Sequence, residues 1–127
     1  MTYRIVKTNK KGMSLFSEIN LESGSLIGEY ISRTPNNIGK NIMDSGLWES
    51  EICRYVNHSF NPNSEIFFEG DVWNLYSKSN ISIGDEIVVD YVVVALKLEL
   101  PENIFYNKNF IEFNLTNFGE ILPTKLI

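Results

Sequence analysis

A single cysteine, Cys53, closes off two common ways of bracing a small domain: it allows neither an internal disulfide nor a cysteine-based zinc cluster. A lone thiol makes a reducing compartment the default. Histidine is equally scarce, with His58 the only one, so no histidine-rich metal set is available. No apolar run approaches the roughly 18 residues that a membrane-spanning helix needs. The first residues, Met1 to Lys7, alternate and carry charge, unlike the apolar core of a signal peptide. Basic residues are also in the minority, 11 against 16 acidic, for a net charge of −5. The nearest thing to a basic patch, Lys7, Lys10 and Lys11, reads as a solvated loop, which argues against direct nucleic-acid binding. A net acidic surface suits a basic partner such as a lysine-rich tail.

What is present describes one folded domain. Hydrophobic residues are 43% and aromatics 13% of 127, enough to bury a single core. The pattern is mainly β. Short strands are expected at 3–7, 13–19 and 26–32, separated by turn-forming runs around Gly12 and Gly24. Residues 34–41 have loop chemistry, and 43–55 suggest a short helix capped by Asp44 or Ser45. Strands at 65–69 and 72–76 flank Gly70-Asp71, a two-residue link of the type II′ hairpin kind. Residues 86–94 are apolar enough for one buried strand, and 110–115 alternate as a last one. No internal repeat stands out.

Two stretches carry the chemistry. The first, residues 54–63, surrounds the only histidine with three asparagines and a proline: Arg54, Tyr55, Val56, Asn57, His58, Ser59, Phe60, Asn61, Pro62, Asn63. The second runs from Gly84-Asp85-Glu86 through Ile87, Val88, Val89 and Asp90 to Tyr91. With Gly12-Met13-Ser14 and Gly28-Glu29-Tyr30 upstream, these blocks resemble, in order and spacing, the SET-domain family of protein lysine methyltransferases. The 54–63 stretch matches the Arg-Phe-x-Asn-His-Ser-x-x-Pro-Asn pattern nearly residue for residue, and the stretch ending at Tyr91 the Gly-Glu-Glu-Leu-x-x-x-Tyr pattern. The resemblance covers about Lys10 to Tyr91. It implies the β-clip fold of several small curved sheets, with one or two short helices. It also implies a C-terminal pseudoknot that threads the Tyr91 segment through an earlier loop.

The resemblance further implies S-adenosyl-L-methionine as cofactor and a lysine ε-amine as acceptor, with a histone tail the foremost substrate class. A lysine-bearing peptide is the expected partner, and a second copy of the chain an optional one. Tyr91 matches the catalytic tyrosine. Gly12, Met13, Ser14, Tyr30, Asn57 and His58 fall to the cofactor, His58 through its backbone, its ring being scaffold rather than base. Ile66 and Val89 match positions that line the lysine channel beside Tyr91, and neither brings a hydroxyl. The zinc clusters that flank many family members have no cysteines here, so residues after Tyr91 must close the site, with Phe105, Tyr106 and Phe110 as candidates. Asn61, Pro62 and Asn63 are read as plain turn residues. The organisation expected is one domain over 1–127, a core over about 3–94, and 95–127 as the closing segment. Such a chain resembles the minimal SET proteins of viruses and bacteria, acting in a bacterial cytoplasm or a host nucleus. The alternative from another class is a catalytically silent module of this fold that binds a basic peptide.

Overall fold

The structure, a computed structural model, describes residues 2–9, 12–35, 41–42 and 45–100. Strand β1 (Tyr3–Thr8) pairs antiparallel with β2 (Gly12–Ser17), in a ladder running from Tyr3 opposite Ser17 to Thr8 opposite Gly12. Strand β3 (Leu26–Ser32) is central to a four-stranded sheet with β4 (Trp48–Glu49), β6 (Ser64–Glu69) and β7 (Val72–Ser77), in the order β4-β3-β7-β6. A third sheet has only two short strands, β5 (Asn57–His58) and β8 (Val88–Val89), and they run parallel. Helices α1 (Glu51–Tyr55) and α2 (Tyr91–Leu98) complete the described elements. This is the mainly β architecture expected, built from several small sheets.

The core lies where these sheets meet. Leu15 of β2, Ile31 of β3, Ile66 of β6 and Leu75 of β7 are all at most 1% exposed. Full burial of each such aliphatic side chain is worth about 1.5–3 kcal/mol. The β6–β7 hairpin forms as expected: Glu69 faces Val72 across a two-residue link, and φ is positive at Gly70 but not at Asp71, as a type II′ turn requires.

Three local expectations are corrected. The helix expected over 43–55 is instead β4 followed by the five-residue α1, because Ser50 is the cap: its hydroxyl accepts from the Cys53 N–H at 3.2 Å. Ser45 serves a turn, accepting from the Leu47 N–H, and Asp44 lies outside the described residues, as do 110–115. The single strand expected over 86–94 stops at Val89. Asp90 then caps α2 by accepting from the Val92 N–H at 2.9 Å. The run of β-branched residues disguised a helical stripe, since the buried positions Tyr91, Val94, Ala95 and Leu98 recur at helical spacing.

The third correction concerns repetition. Two glycine turns, 17–25 and 77–85, match each other at a constant offset and are bonded to each other reciprocally. The Gly24 N–H donates to Ser77 O and the Gly84 N–H to Ser17 O, both at 2.8 Å. Asn20 accepts from the Ile83 N–H at 2.8 Å, and Asn80 from the Ser23 N–H at 2.9 Å. Leu21 and Ile81 exchange both backbone bonds at the centre of this crossing. Read with that pairing, Ser-x-x-Asn-Leu-x-x-Gly-x-x-Ile from Ser17 and Ser-x-x-Asn-Ile-x-x-Gly-x-x-Ile from Ser77 are one pattern twice.

Candidate active site

The second turn delivers residues 86–90 into a space already bounded by the asparagine-rich stretch. On one side β5 pairs with it, Asn57 with Val88 and His58 with Val89, and the Ser59 N–H donates to Val89 O at 2.8 Å. On the other side the Asn63 amide acts as a surrogate peptide. Its Nδ2 donates to Glu86 O at 2.8 Å and its Oδ1 accepts from the Val88 N–H at 3.0 Å. The Ser64 hydroxyl adds a bond to Val88 O at 2.6 Å. Residues 86–89 thus pass between 57–59 and 63–64, the threading that the resemblance implied. Asn63 is therefore more than a turn residue: it ties the two chemistry-bearing stretches together.

Threading brings together side chains distant in sequence. Asn57 is fully buried, and its Nδ2 donates both to Ser14 Oγ at 2.8 Å and to Glu86 Oε2 at 2.9 Å. β2 supplies Ser14 because the main chain of its neighbours Leu15 and Ser17 bonds Ile87 and Asp85. Ser14 itself keeps an ordinary negative φ in register with Val6, so no second glycine is needed at that position. Gly12 opens the same strand, and Met13 turns its side chain outward, 40% exposed. Glu86 is the residue that reading the sequence passed over. Its signal was a carboxylate placed directly before the apolar run Ile87 to Val89.

His58 is scaffold. Its ring is buried, Nδ1 accepts from the Tyr91 N–H at 2.9 Å, and Phe60 packs edge-on at 4.3 Å between centroids. That bond fixes the backbone at the first residue of α2. Tyr91 is fully buried, and its hydroxyl donates to Val56 O at 2.6 Å, immediately before Asn57. Tyr30 is grouped with Tyr91 rather than with Ser14, Asn57 and Glu86. Burial above all, then the neighbouring Cys53 and Tyr91, pushes its hydroxyl well above the ordinary tyrosine range, so it is neutral. Ile66 and Val89 meet in the wall of a small cleft that Val93 and Val94 of α2 also line. Lys97 fastens α2 beside it, donating to Ile66 O at 2.6 Å with its ammonium 4.6 Å over the Phe67 ring.

A family model described as SET domain matches residues 6–92. The chain belongs to the SET-domain family. Among solved structures, this SET domain is similar to KRYPTONITE in complex with mCHH DNA, an H3(1-15) peptide and SAH (TM-score 0.52, 23% identity, 70% of this chain and 23% of that one). It is similar to a candidate histone methyltransferase of Plasmodium falciparum (TM-score 0.50, 23% identity, 71% and 92%). It also resembles ctPRC2 in complex with H3K27me3 (TM-score 0.53, 17% identity, 70% and 14%). The chain thus spans about a quarter or less of two of these and most of the third. At such identities the likeness speaks for the fold. No curated protein sequence matches the chain.

Phe105, Tyr106 and Phe110 lie outside the described residues. Among the described residues no group of three or more histidine, cysteine, aspartate or glutamate side chains is placed to hold a metal, and no helix is long and apolar enough to cross a membrane.

Proposed function

We propose that this SET domain is an S-adenosyl-L-methionine-dependent protein-lysine N-methyltransferase acting on a lysine in a basic segment, a histone tail being the foremost class. The observation that carries this reading is the threaded junction. It sets a buried amide and hydroxyl (Asn57, Ser14) and a half-buried carboxylate (Glu86) one short ladder away from a buried tyrosine hydroxyl whose backbone His58 holds. Two solved relatives of the same fold carry histone H3 material, and one also carries SAH, which supports the same assignment.

The donor set suits the cofactor. Its methionine end is a zwitterion, and amide and carboxylate oxygens beside the β2 backbone are groups that hold an ammonium. Ser14, Asn57, Glu86 and the main chain of Gly12 and Met13 would hold it, with the His58 backbone nearer the adenine. Bound there, the cofactor supplies an electrophilic methyl on a sulfonium.

The protein's own contribution is to prepare the amine and exclude water. A free lysine has a pKa of ~10.4, so its neutral form at pH 7 is disfavoured by roughly 4–5 kcal/mol. A channel walled by Ile66 and Val89 lowers that cost by disfavouring the ammonium. The hydroxyl of Tyr91 is a neutral dipole that orients the amine, and Tyr30 beside it adds a second neutral ring. Alignment then contributes the larger share of the rate. Neither Ile66 nor Val89 carries a hydroxyl to hold a methylated amine in one pose, so more than one methyl is transferred. Mass spectrometry should find di- or trimethyl product, and monomethyl alone would count against it. The wall over the site is assigned to residues after α2, with Phe105 and Tyr106 first.

Two measurements test the reading. Calorimetric titration with S-adenosylhomocysteine should show one site per chain; no binding favours the silent peptide-binding module. Tyr91→Phe should cut radiolabelled methyl transfer on the order of a hundredfold while leaving cofactor affinity nearly unchanged. Full turnover in that variant would overturn the mechanism.

A further inference from the structure

We infer that Lys97 is a positioning residue for the acceptor lysine: it ties helix α2 to strand β6 beside the cleft that both elements wall, and so sets the width of that cleft. The inference rests on the reading above, in which Ile66 and Val89 line the lysine channel.

Helical spacing continues the wall of the cleft to Lys97. Val93 and Val94 line the cleft from α2, and Lys97 follows them by four and three residues, the separations that share one helix face. The opposite bank is β6, with Ser64, Glu65 and Ile66. Because β6 is the last strand of its sheet, its outward carbonyls have no neighbouring strand in that sheet to pair with. The Lys97 ammonium takes that place at Ile66, donating to its carbonyl at 2.6 Å, so the tie ends on a residue that itself lines the cleft. The Phe67 ring holds the ammonium from a second side at 4.6 Å, and Glu65 Oε1 from a third at 3.9 Å. Lys97 and Glu65 are both partly exposed, so their ion pair counts for little, and the carbonyl bond and the ring carry the tie. Tyr91, Val94, Ala95 and Leu98 also anchor α2, by burial against the core, but apolar contact is non-directional. A hydrogen bond fixes distance and angle, so Lys97 sets how far the helix stands from Ile66. The cleft is small, about 60 Å³, and a shift of either bank changes what it admits. A cation over a strand edge also discourages pairing with another chain, a purely structural role that the test separates from this one.

The test uses Lys97→Met, which keeps an apolar stem and removes the ammonium. Lys97→Arg is the conservative variant, since a guanidinium can still donate to the carbonyl and lie over the ring. In the ligand-free protein, methyl NMR cross-peaks between Ile66 and Val93 or Val94 should weaken in Lys97→Met and be kept in Lys97→Arg. With S-adenosyl-L-methionine and a histone H3 tail peptide, Lys97→Met should raise KM for the peptide about tenfold while kcat stays within about twofold. Lys97→Arg should hold that KM within about threefold of the intact protein, and neither variant should change the affinity for S-adenosylhomocysteine. Phe67→Leu, which removes the ring alone, should raise KM about threefold and add nothing further in the Lys97→Met background. Unchanged cross-peaks, an unchanged KM, or a KM rise that Lys97→Arg shares in full would overturn the assignment. So would a lower melting temperature with KM unchanged, which is the signature of edge covering alone. Should Lys97→Met fail to fold, Phe67→Leu decides by itself, and an unchanged KM there overturns the assignment. If the intact protein binds no S-adenosylhomocysteine and methylates no peptide, the proposed function falls, while the cross-peaks of the ligand-free protein still decide whether Lys97 holds the wall.

Discussion

The turns at 17–25 and 77–85 share one set of bonds and deliver the chain to different fates. In both, a glycine at φ +89° follows an asparagine that accepts from the opposite turn. Beyond the first turn the chain enters β3, a seven-residue strand that pairs with β7 and, at Ile31 and Ser32, with β4. Beyond the second it makes only two residues of strand, pairs in parallel with β5, and turns into α2 at Asp90. The equivalent positions show why. Gly28 of β3 lies under α1, where an added Cβ would sit 2.6 Å from Ile52 Cδ1, while its counterpart Val88 has a full side chain. A buried tyrosine follows each turn, Tyr30 within β3 and Tyr91 at the start of α2. Tyr91 donates to Val56 O, whereas among the described residues the Tyr30 hydroxyl reaches no hydrogen-bonding nitrogen or oxygen and has the Cys53 thiol beside it. One turn geometry fixes the crossing, and what surrounds each exit decides between framework and site.

Removing the clamp that makes the second exit special should have the largest effect. Asn63→Ala leaves Glu86 O and the Val88 N–H unpaired in a half-buried place and should cost about 3 kcal/mol in denaturant unfolding. Next come the paired glycines. Neither Gly24 nor Gly84 has a neighbour within 4 Å of an added Cβ, so alanine at either is penalised by positive φ alone. The two should cost the same, about 1–2 kcal/mol. Unequal costs in thermal melts would show that the turns are alike in shape but not in strain. Smaller still are Asn20→Ala and Asn80→Ala, each losing one exposed bond worth about 1 kcal/mol or less, again equally. Least of all is Tyr30→Phe, expected within about 0.5 kcal/mol of neutral or stabilising, since it removes a hydroxyl with no nitrogen or oxygen partner among the described residues.

Tyr30 also carries a pH prediction. Its folded pKa is raised by burial, so the stability it contributes is present below the ordinary tyrosine pKa and is lost as pH rises beyond it. Alkaline spectrophotometric titration should show Tyr30 ionising only on unfolding; its ionisation in the folded protein would contradict the burial.

Much of the site was legible because its residues sit in two dense patterns. Asn57, His58 and Tyr91 stand out as residue types in fixed order, and so does the expectation that His58 is scaffold. Glu86 and Asn63 were not legible in their roles, because each acts on a partner more than twenty residues away through a bond that no spacing reveals. The helical α2 was hidden for another reason. Val92, Val93 and Val94 prefer strands locally, and only the Asp90 cap and a core that accepts Tyr91, Val94, Ala95 and Leu98 override that preference.

By itself the sequence determined the short-strand β character, the hairpin at Gly70-Asp71, the family blocks and the residue types proposed for the chemistry, since these rest on local backbone preference and on chemical identity. The tertiary structure alone decided that the two turns cross as a pair, that residues 86–89 thread between Asn57 and Asn63, and that Glu86 faces Asn57. Those outcomes depend on long-range pairing, where burial leaves each buried donor and acceptor to find the partner that the fold brings within reach.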